Sequence, residues 1–132
     1  MNKIFKIIFF TLLSFISINS VTFAEEKIKI GLLVPMSGEN KELGQLIIKS
    51  TRMALEDIGN INLEIYPEDT ASNPDQTLKA AIKLKEMDIK IIIGPIFYKN
   101  LSYLNNVKDI IFLSLTNKTI NLPNNVISSG IN

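Results

Sequence analysis

Hydrophobic and polar residues follow two different patterns along the chain beyond residue 27. Short runs rich in β-branched residues, such as IKIGLLV and IKIII, are typical of buried strands. Longer stretches with apolar residues three and four positions apart are typical of amphipathic helices. The predicted strands cover residues 28–34, 62–66, 89–93, 110–115 and 126–128, and the predicted helices lie between them.

The three predicted helices differ in how clearly their ends are marked. The first covers residues 43–58, and Gly59 follows as the glycine that commonly ends a helix. The second begins with Asn73 as N-cap, Pro74 in the first turn and Gln76 two residues later, a variant of the capping box. A third, shorter helix is predicted over residues 98–108.

The alternation of strands and helices predicts an α/β fold with a doubly wound parallel sheet, as in a flavodoxin-like lobe. The first, third and fourth strands are apolar at nearly every position. Such strands are expected to be buried by helices on both faces of the sheet. A ligand site in this architecture should lie outside the carboxyl ends of the strands.

The first 24 residues resemble a cleavable export signal, so we do not expect them to be part of the folded domain. Lys3 and Lys6 precede an apolar segment at residues 7–18, and small residues at Thr22 and Ala24 mark a cleavage site. A membrane anchor is the alternative, but the apolar segment is too short to span roughly 30 Å of hydrocarbon. We therefore expect two regions, a signal peptide at residues 1–24 and a globular lobe at residues 25–132.

The absence of cysteine narrows the expected destination of the exported product. The sequence contains no cysteine, so no disulfide can form and no lipid can be attached to a cysteine at the cleavage site. A disulfide-free exported protein is more typical of the bacterial periplasm than of disulfide-dense extracellular settings. We expect a periplasmic protein with no membrane anchor after cleavage.

Charge and composition exclude several classes of function. The chain has 14 basic and 13 acidic residues. Its visible basic cluster, Lys79, Lys83 and Lys85, lies in the second half of a predicted helix, where cations interact favourably with the helix dipole. The pattern therefore gives no indication of a nucleic-acid partner.

The sequence also lacks the residues and motifs of common enzymes. It contains no histidine and no cysteine, and it has no nucleophile elbow, phosphate-binding loop or dinucleotide fingerprint. Glu68 and Asp69 are the close pair of carboxylates that could bind a metal, but we expect them to satisfy a turn and nearby backbone amides. We predict no enzymatic activity, no cofactor and no metal.

A receiver domain of two-component signalling is the obvious flavodoxin-like alternative at this length. A receiver requires a carboxylate at the end of the third strand and an acidic pair after the first. The chain has Gly94 and Pro95 at the first of these places and Pro35, Met36 and Ser37 at the second. The residues therefore exclude this alternative.

The chain has a Pro35-Met36-Ser37-Gly38 turn after the first strand, Gly44 near the start of the first helix and the sequence IGP after the third strand. In their order and spacing, these features resemble the amino-terminal lobe of type I periplasmic binding proteins of the leucine/isoleucine/valine-binding kind. The resemblance covers residues 28–119. Within the superfamily, the sequence segments GPIF and LSLTN are more similar to those of the periplasmic activators of penicillin-binding proteins. The two subfamilies both remain possible.

The resemblance implies a ligand site at the carboxyl ends of the strands. In the family, hydroxyl and backbone groups after the third and fourth strands hold an amino acid's carboxyl and ammonium groups. The matching positions here are Phe97 and Tyr98, then Thr116 and Asn117, with Ser37 on the same edge. Backbone N–H groups at the start of the predicted third helix would favour a ligand carboxylate.

The function implied by the resemblance has two forms. The first is a solute-binding module that delivers an amino acid or a similar small polar ligand to the permease of an ABC-type importer. The alternative is a regulator similar to the activators of penicillin-binding proteins, which acts on a peptidoglycan synthase through protein contacts.

The length of the chain changes what the resemblance implies. Members of the family carry a second lobe, which is missing from this sequence, so we expect a fragment, a truncated reading frame or one half of a split protein. A ligand on one open lobe would keep much of its hydration and bind weakly. The exposed cleft face would favour association with another protein surface.

Overall fold

The computed structural model describes residues 2–4, 27–59 and 62–130. Its strands are β1 (Ile28–Val34), β2 (Leu63–Asp69), β3 (Ile91–Ile93), β4 (Ile111–Ser114) and β5 (Val126–Ser128). Its helices are α1 (Lys41–Ile58) and α2 (Pro74–Glu86). Apart from residues 2–4, the predicted signal peptide lies outside the described residues. Within those residues, no helix combines the length and hydrophobicity needed to cross a membrane.

The five strands form one sheet in the order β2-β1-β3-β4-β5, and every neighbouring pair is parallel. Strand β1 lies second from one edge and pairs with β2 on one side and β3 on the other, so Ile30 is in register with both Ile65 and Ile91. The chain therefore reverses direction across the sheet between β2 and β3. This order confirms the predicted doubly wound α/β fold.

The predicted end of α1 and the predicted start of α2 are confirmed, whereas α1 begins at Lys41, two residues before its predicted start. The Asn73 side chain accepts hydrogen bonds from the backbone N–H groups of Asp75 and Gln76 at 2.9 and 3.0 Å, so it caps α2. Gly59 ends α1, and its N–H donates to carbonyl groups of the last turn. Near the start of α1, a Cβ on Gly44 would overlap the carbonyl oxygen of Pro35. Glycine there lets α1 approach the end of β1 closely.

The prediction of a third α-helix at residues 98–108 is wrong. The structure has two short 3₁₀ turns there, at Tyr98–Leu101 and Leu104–Asn106. The apolar residues of this segment, Leu101, Leu104 and Val107, are spaced by three and are all at most 3% exposed. A spacing of three places side chains on one side of a 3₁₀ turn, where residues i and i+3 eclipse.

One face of the sheet, which we call the α2 face, carries the hydrophobic core. Leu33, Ile92 and Phe112 project from neighbouring strands and are fully buried. They pack in one cluster with Ala81 and Leu84 of α2 and with the apolar residues of the 3₁₀ turns. The burial predicted for the apolar strands is therefore correct on this side.

The opposite face, which we call the α1 face, is covered over only part of its width. There α1 lies against β1 and β2, and Leu32 and Val34 are fully buried. Ile91 and Ile111 project from β3 and β4 on the same face but are 40% and 50% exposed. The expectation that helices cover both faces is wrong for these two strands within the described part of the chain.

Candidate ligand site

Loops after the four strands β1 to β4 meet along one edge of the sheet because the strands are parallel. This edge contains all five residues that the sequence predicted to bind a ligand. It divides into two halves with different chemistry, one after β1 and β2 and the other after β3 and β4.

In the β1–β2 half, Asp69 ties two loops together. Its Oδ1 accepts hydrogen bonds from the backbone N–H groups of Met36 at 2.7 Å, Ser37 at 3.2 Å and Ala71 at 2.8 Å. Its Oδ2 accepts one from the Ser37 hydroxyl. The predicted structural role of Asp69 is confirmed, and the Ser37 hydroxyl is directed to this carboxylate.

These hydrogen bonds also control the protonation of Asp69. Partial burial raises the pKa of the carboxyl group, but the hydrogen bonds from Ser37, Ala71 and Met36 favour the charged form. The net result is a pKa below the ordinary value. Asp69 is thus an anion whose charge is already stabilised within the lobe.

The neighbouring Glu68 points to a different partner. Its carboxylate forms a salt bridge of 2.7 Å with the ammonium group of Lys83 on α2. In the described ranges, no three acidic side chains come together as a metal site would require.

In the β3–β4 half, backbone groups and the Ser114 hydroxyl join the two loops. The N–H of Gly94 donates to the carbonyl of Leu113 at 2.8 Å, and the carbonyl of Pro95 accepts from the Ser114 hydroxyl at 2.9 Å and from Leu115 N–H at 3.2 Å. The peptide bond between Gly94 and Pro95 is cis. These bonds fix the start of both loops relative to each other.

The two predicted site residues after β4 lie in contrasting environments. Thr116 is 5% exposed, and its hydroxyl accepts a hydrogen bond of 3.3 Å from the backbone N–H of Lys118. The carbonyl of Thr116 also accepts from Gly130 N–H at 3.2 Å. Asn117 is exposed at the edge. Contact of either residue with a ligand stays a prediction.

One of the two predicted aromatic residues after β3 makes a contact with a lysine that the sequence analysis missed. Phe97 is half-buried and Tyr98 is 36% exposed. The ammonium group of Lys118 lies 3.5 Å from the centre of the Tyr98 ring, which is a cation–π contact. The only available signal was a basic residue two positions after Thr116 in the segment LSLTNKT.

Tyr98 also borders a groove beside the edge. The groove has a volume of about 270 Å³ and is lined mainly by uncharged polar residues and short apolar ones. Its polar residues are Ser102, Asn105, Asn121 and Asn124. Tyr98 therefore connects the Lys118 side of the edge with a neutral polar groove.

Solved structures with the same fold come from two functional groups. The leucine binding protein LivK from Thermotoga maritima has a TM-score of 0.60 and 18% identity, over 67% of this chain and 27% of that one. A solute binding protein of an ABC transporter from Rhodopseudomonas palustris, in complex with 3,4-dihydroxy benzoic acid, has a TM-score of 0.64 and 21% identity, over 70% of this chain and 28% of that one. At these identities the likeness shows the fold alone.

The second group is represented by the C-domain of LpoA from Haemophilus influenzae, a regulator of PBP1A. It has a TM-score of 0.62 and 27% identity, over 78% of this chain and 32% of that domain. The chain thus spans about a third or less of the length of these structures.

Sequence comparisons give a family but no individual relative. A search of curated proteins found no match. The sequence model of the family described as periplasmic binding protein matches residues 27–127, which is most of the chain. The fold, the strand order and the loops at the carboxyl edge agree with this match. The chain belongs to the periplasmic binding protein family, and its lobe is of type I.

Proposed function

We propose that the chain is a periplasmic solute-binding module of an ABC-type importer and binds an amino acid or a similar small ligand at the carboxyl edge of the sheet. The observation that carries the proposal is the arrangement after β3 and β4. There the ammonium group of Lys118 lies over the Tyr98 ring, and Asn117 is exposed beside it in the same loop. The proposal assigns no catalytic step to the lobe.

The charges at the edge favour a ligand that carries a carboxylate. Lys118 is exposed and provides a positive charge next to an aromatic surface. Asp69 is engaged by four donors, so it is poorly placed to pair with the ammonium group of an amino acid. This lobe therefore supplies the contacts to the carboxylate end. Leucine and 3,4-dihydroxybenzoate, named for two of the structural neighbours, both have such a group.

A thermal-shift titration of the purified chain tests the proposal. Leucine and leucinamide form a matched pair, because they differ in the carboxylate that Lys118 is proposed to recognise. A ligand that binds only the folded state raises the melting temperature with concentration. We expect a saturable rise with leucine or with 3,4-dihydroxybenzoate, and a smaller rise with leucinamide.

Two variants make the titration specific to the site. Lys118→Ala should weaken carboxylate binding about tenfold, the loss expected for one exposed charge contact at a partly hydrated site. Lys49→Ala, which removes a similar charge from α1, should leave binding unchanged. Equal responses to leucine and leucinamide, or equal binding by both variants, would contradict the proposed role of Lys118.

The alternative function is regulation of a peptidoglycan synthase through protein contacts. It is favoured by the LpoA C-domain, which is 27% identical over 78% of the chain, a higher identity than that of the two binding proteins described above. Under this alternative, the chain would bind a penicillin-binding protein and no small carboxylate. Pull-down of a purified synthase by the chain, together with an unchanged melting temperature in the ligand titration, would favour the regulator over the importer.

A further inference from the structure

The residues at the end of β5 lie against the loop that carries Lys118. The carbonyl oxygen of Thr116 accepts two hydrogen bonds from them, one from the Ser128 hydroxyl and one from the backbone N–H of Gly130 at 3.2 Å. Thr116 is 5% exposed, so this junction is largely closed to water. The end of β5 therefore fixes the peptide group that leads into Asn117 and Lys118.

The lack of a side chain at residue 130 makes this close approach possible. A Cβ built on Gly130 would overlap the carbonyl oxygen of Thr116 and would lie 2.5 Å from the backbone nitrogen of Asn117. Both are backbone atoms, which cannot turn aside as the end of a flexible side chain can. A larger residue at position 130 would therefore push the peptide group between Thr116 and Asn117 away from the end of β5.

The side chain of Thr116 passes this placement on to Lys118. Its hydroxyl accepts a hydrogen bond of 3.3 Å from the backbone N–H of Lys118. Thr116 is thus held through its carbonyl by the end of β5, and it holds the Lys118 backbone through its hydroxyl. From that position the Lys118 ammonium group lies 3.5 Å from the centre of the Tyr98 ring.

The Tyr98 side of the contact is anchored by different groups. The carbonyl of Pro95, three residues before Tyr98, accepts hydrogen bonds from the Ser114 hydroxyl at 2.9 Å and from the Leu115 N–H at 3.2 Å. Neither bond involves the end of β5. A change there should therefore move Lys118 relative to the ring while the ring stays in place.

The cation–π contact is too weak to order the loop without these hydrogen bonds. Asn117 and Lys118 are both exposed. Fixing the backbone of one loop residue costs more conformational entropy than a cation–π contact contributes at an exposed site. The contact therefore depends on the groups that hold the loop, and the hydrogen bonds at Thr116 are such groups.

We propose that Ser128 and Gly130 are positioning residues, which hold the Thr116 carbonyl and thereby keep Lys118 over Tyr98. They act through Thr116 and not on the ligand. The consequence for ligand affinity rests on the proposed function. A lysine on a loose loop presents its charge to a carboxylate for only a fraction of the time, and the apparent dissociation constant rises as that fraction falls.

NMR spectroscopy of the purified chain measures the position of Lys118 without any ligand. The ring current of Tyr98 should shift the ε-methylene protons of Lys118 upfield, and Tyr98→Leu should abolish this shift. Ser128→Ala should remove most of the shift, because the Thr116 carbonyl loses one of its two donors. Ser128→Thr keeps the hydroxyl and should restore the shift. Gly130→Ala should remove it through the overlap with the Thr116 carbonyl.

Ser129→Ala is the matched control for Ser128→Ala. The Ser129 hydroxyl also donates to a backbone carbonyl, that of Ser114 at 2.9 Å, and the Ser129 N–H donates to the same carbonyl at 2.8 Å. The substitution thus removes a similar hydroxyl but acts before the loop, so the Lys118 shift should stay as in the wild type. The melting temperatures of the two variants separate a general loss of stability from a movement of Lys118.

Three results would overturn the positioning role. The first is a wild-type chain in which the Lys118 protons have no upfield shift. The second is a shift that persists in both Ser128→Ala and Gly130→Ala. The third is an equal loss of the shift in Ser129→Ala. If Gly130→Ala does not fold, the comparison of the alanine and threonine variants of Ser128 decides the outcome.

A leucine titration then tests the consequence for binding. Ser128→Ala should raise the apparent dissociation constant for leucine about three- to fivefold, less than Lys118→Ala does, because the positive charge is kept. Ser128→Thr should restore the wild-type value. Unchanged leucine binding by a Ser128→Ala chain that has lost the NMR shift would contradict the role in affinity. A wild-type chain that binds no leucine would contradict the proposed function, whereas the NMR result still decides the positioning of Lys118.

Discussion

The two halves of the carboxyl edge contain polar groups that are used in different ways. After β1 and β2, the carboxylate of Asp69 is consumed by hydrogen bonds within the lobe. After β3 and β4, backbone groups and the buried Ser114 hydroxyl form the joining hydrogen bonds, while the side chains of Tyr98, Asn117 and Lys118 remain exposed. The difference indicates that polarity alone does not identify a ligand group, because a polar group that already has internal partners contributes to stability first.

Among the substitutions that test this difference between the two halves, Gly94→Val is expected to cause the largest loss of stability. Gly94 has a φ angle of +101°, and a Cβ there would overlap the carbonyl oxygen of Leu33. We expect the substitution to lower the free energy of unfolding by about 3 kcal/mol or more, from backbone strain together with overpacking. Urea denaturation followed by circular dichroism measures the loss.

The matched control for this prediction is Gly59→Val at the end of α1. Gly59 has a similar φ angle of +69°, but among the described residues outside its own helix and chain neighbours no atom lies within 4 Å of a Cβ built there. Gly59→Val should therefore introduce backbone strain without steric overlap, and it should lower the free energy of unfolding by about 1–2 kcal/mol. Equal losses at the two positions would mean that the junction after β3 is less rigid than its contacts indicate.

A smaller but still clear loss is expected from Asp69→Ala. The substitution leaves three backbone N–H groups and one hydroxyl without their acceptor, and the expected cost is about 1.5–3 kcal/mol. Glu68→Ala is the matched control, because it removes a carboxylate, 21% exposed, that forms one ion pair with the exposed ammonium group of Lys83, and the expected loss is about 1 kcal/mol. If the two variants are equally stable, Asp69 does not hold the loops together.

The pH dependence of stability provides a further test of the β1–β2 half. The folded state lowers the pKa of Asp69 from 3.8, so the stabilisation from its carboxylate is fully present well above pH 3.8. It is lost as the pH falls below that value toward the lower pKa of the folded state. Denaturation at a series of acidic pH values should show this loss in the wild type, whereas the stability of Asp69→Asn should depend less on pH. Identical pH dependence in the two proteins would refute the role assigned to the Asp69 carboxylate.

The smallest effects are expected in the β3–β4 half, where Thr116 and Asn117 can be separated. Thr116→Ala should cost about 1 kcal/mol, because the Thr116 hydroxyl is buried and accepts a hydrogen bond from the backbone of Lys118. Asn117→Ala should change stability by less than about 0.5 kcal/mol, since Asn117 is exposed. Thermal denaturation measures both, and a larger loss from Asn117→Ala would make this residue structural.

Sequence patterns were sufficient for the elements that local chemistry defines. The Asn73 cap, the glycine after α1 and the period of the apolar residues predicted two helices and their approximate limits. The segment after β3 was mistaken for an α-helix because Leu101, Leu104 and Val107 fit a helical face as well as a 3₁₀ one. Their true conformation depends on packing against α2, which no local pattern specifies.

The candidate site was predictable only in part for the same reason. The role of Asp69 followed from its place in a turn, since such side chains commonly bind nearby backbone amides. The contact of Lys118 with Tyr98 depends on how two loops from different strands approach each other. The open half of the α1 face likewise depends on strand order, because an apolar strand looks the same in sequence whether one or both faces are covered.

The position of β1 between β2 and β3 affects how the protein folds. Ile30 pairs with Ile91, so the second neighbour of β1 is synthesised only after both helices and β2. Pairings between residues far apart in sequence form slowly. Until β3 has been made and has docked, β1 is an edge strand with a row of unpaired backbone groups, a state that favours aggregation. A nascent chain interrupted before Ile91 would therefore depend on a chaperone to stay soluble.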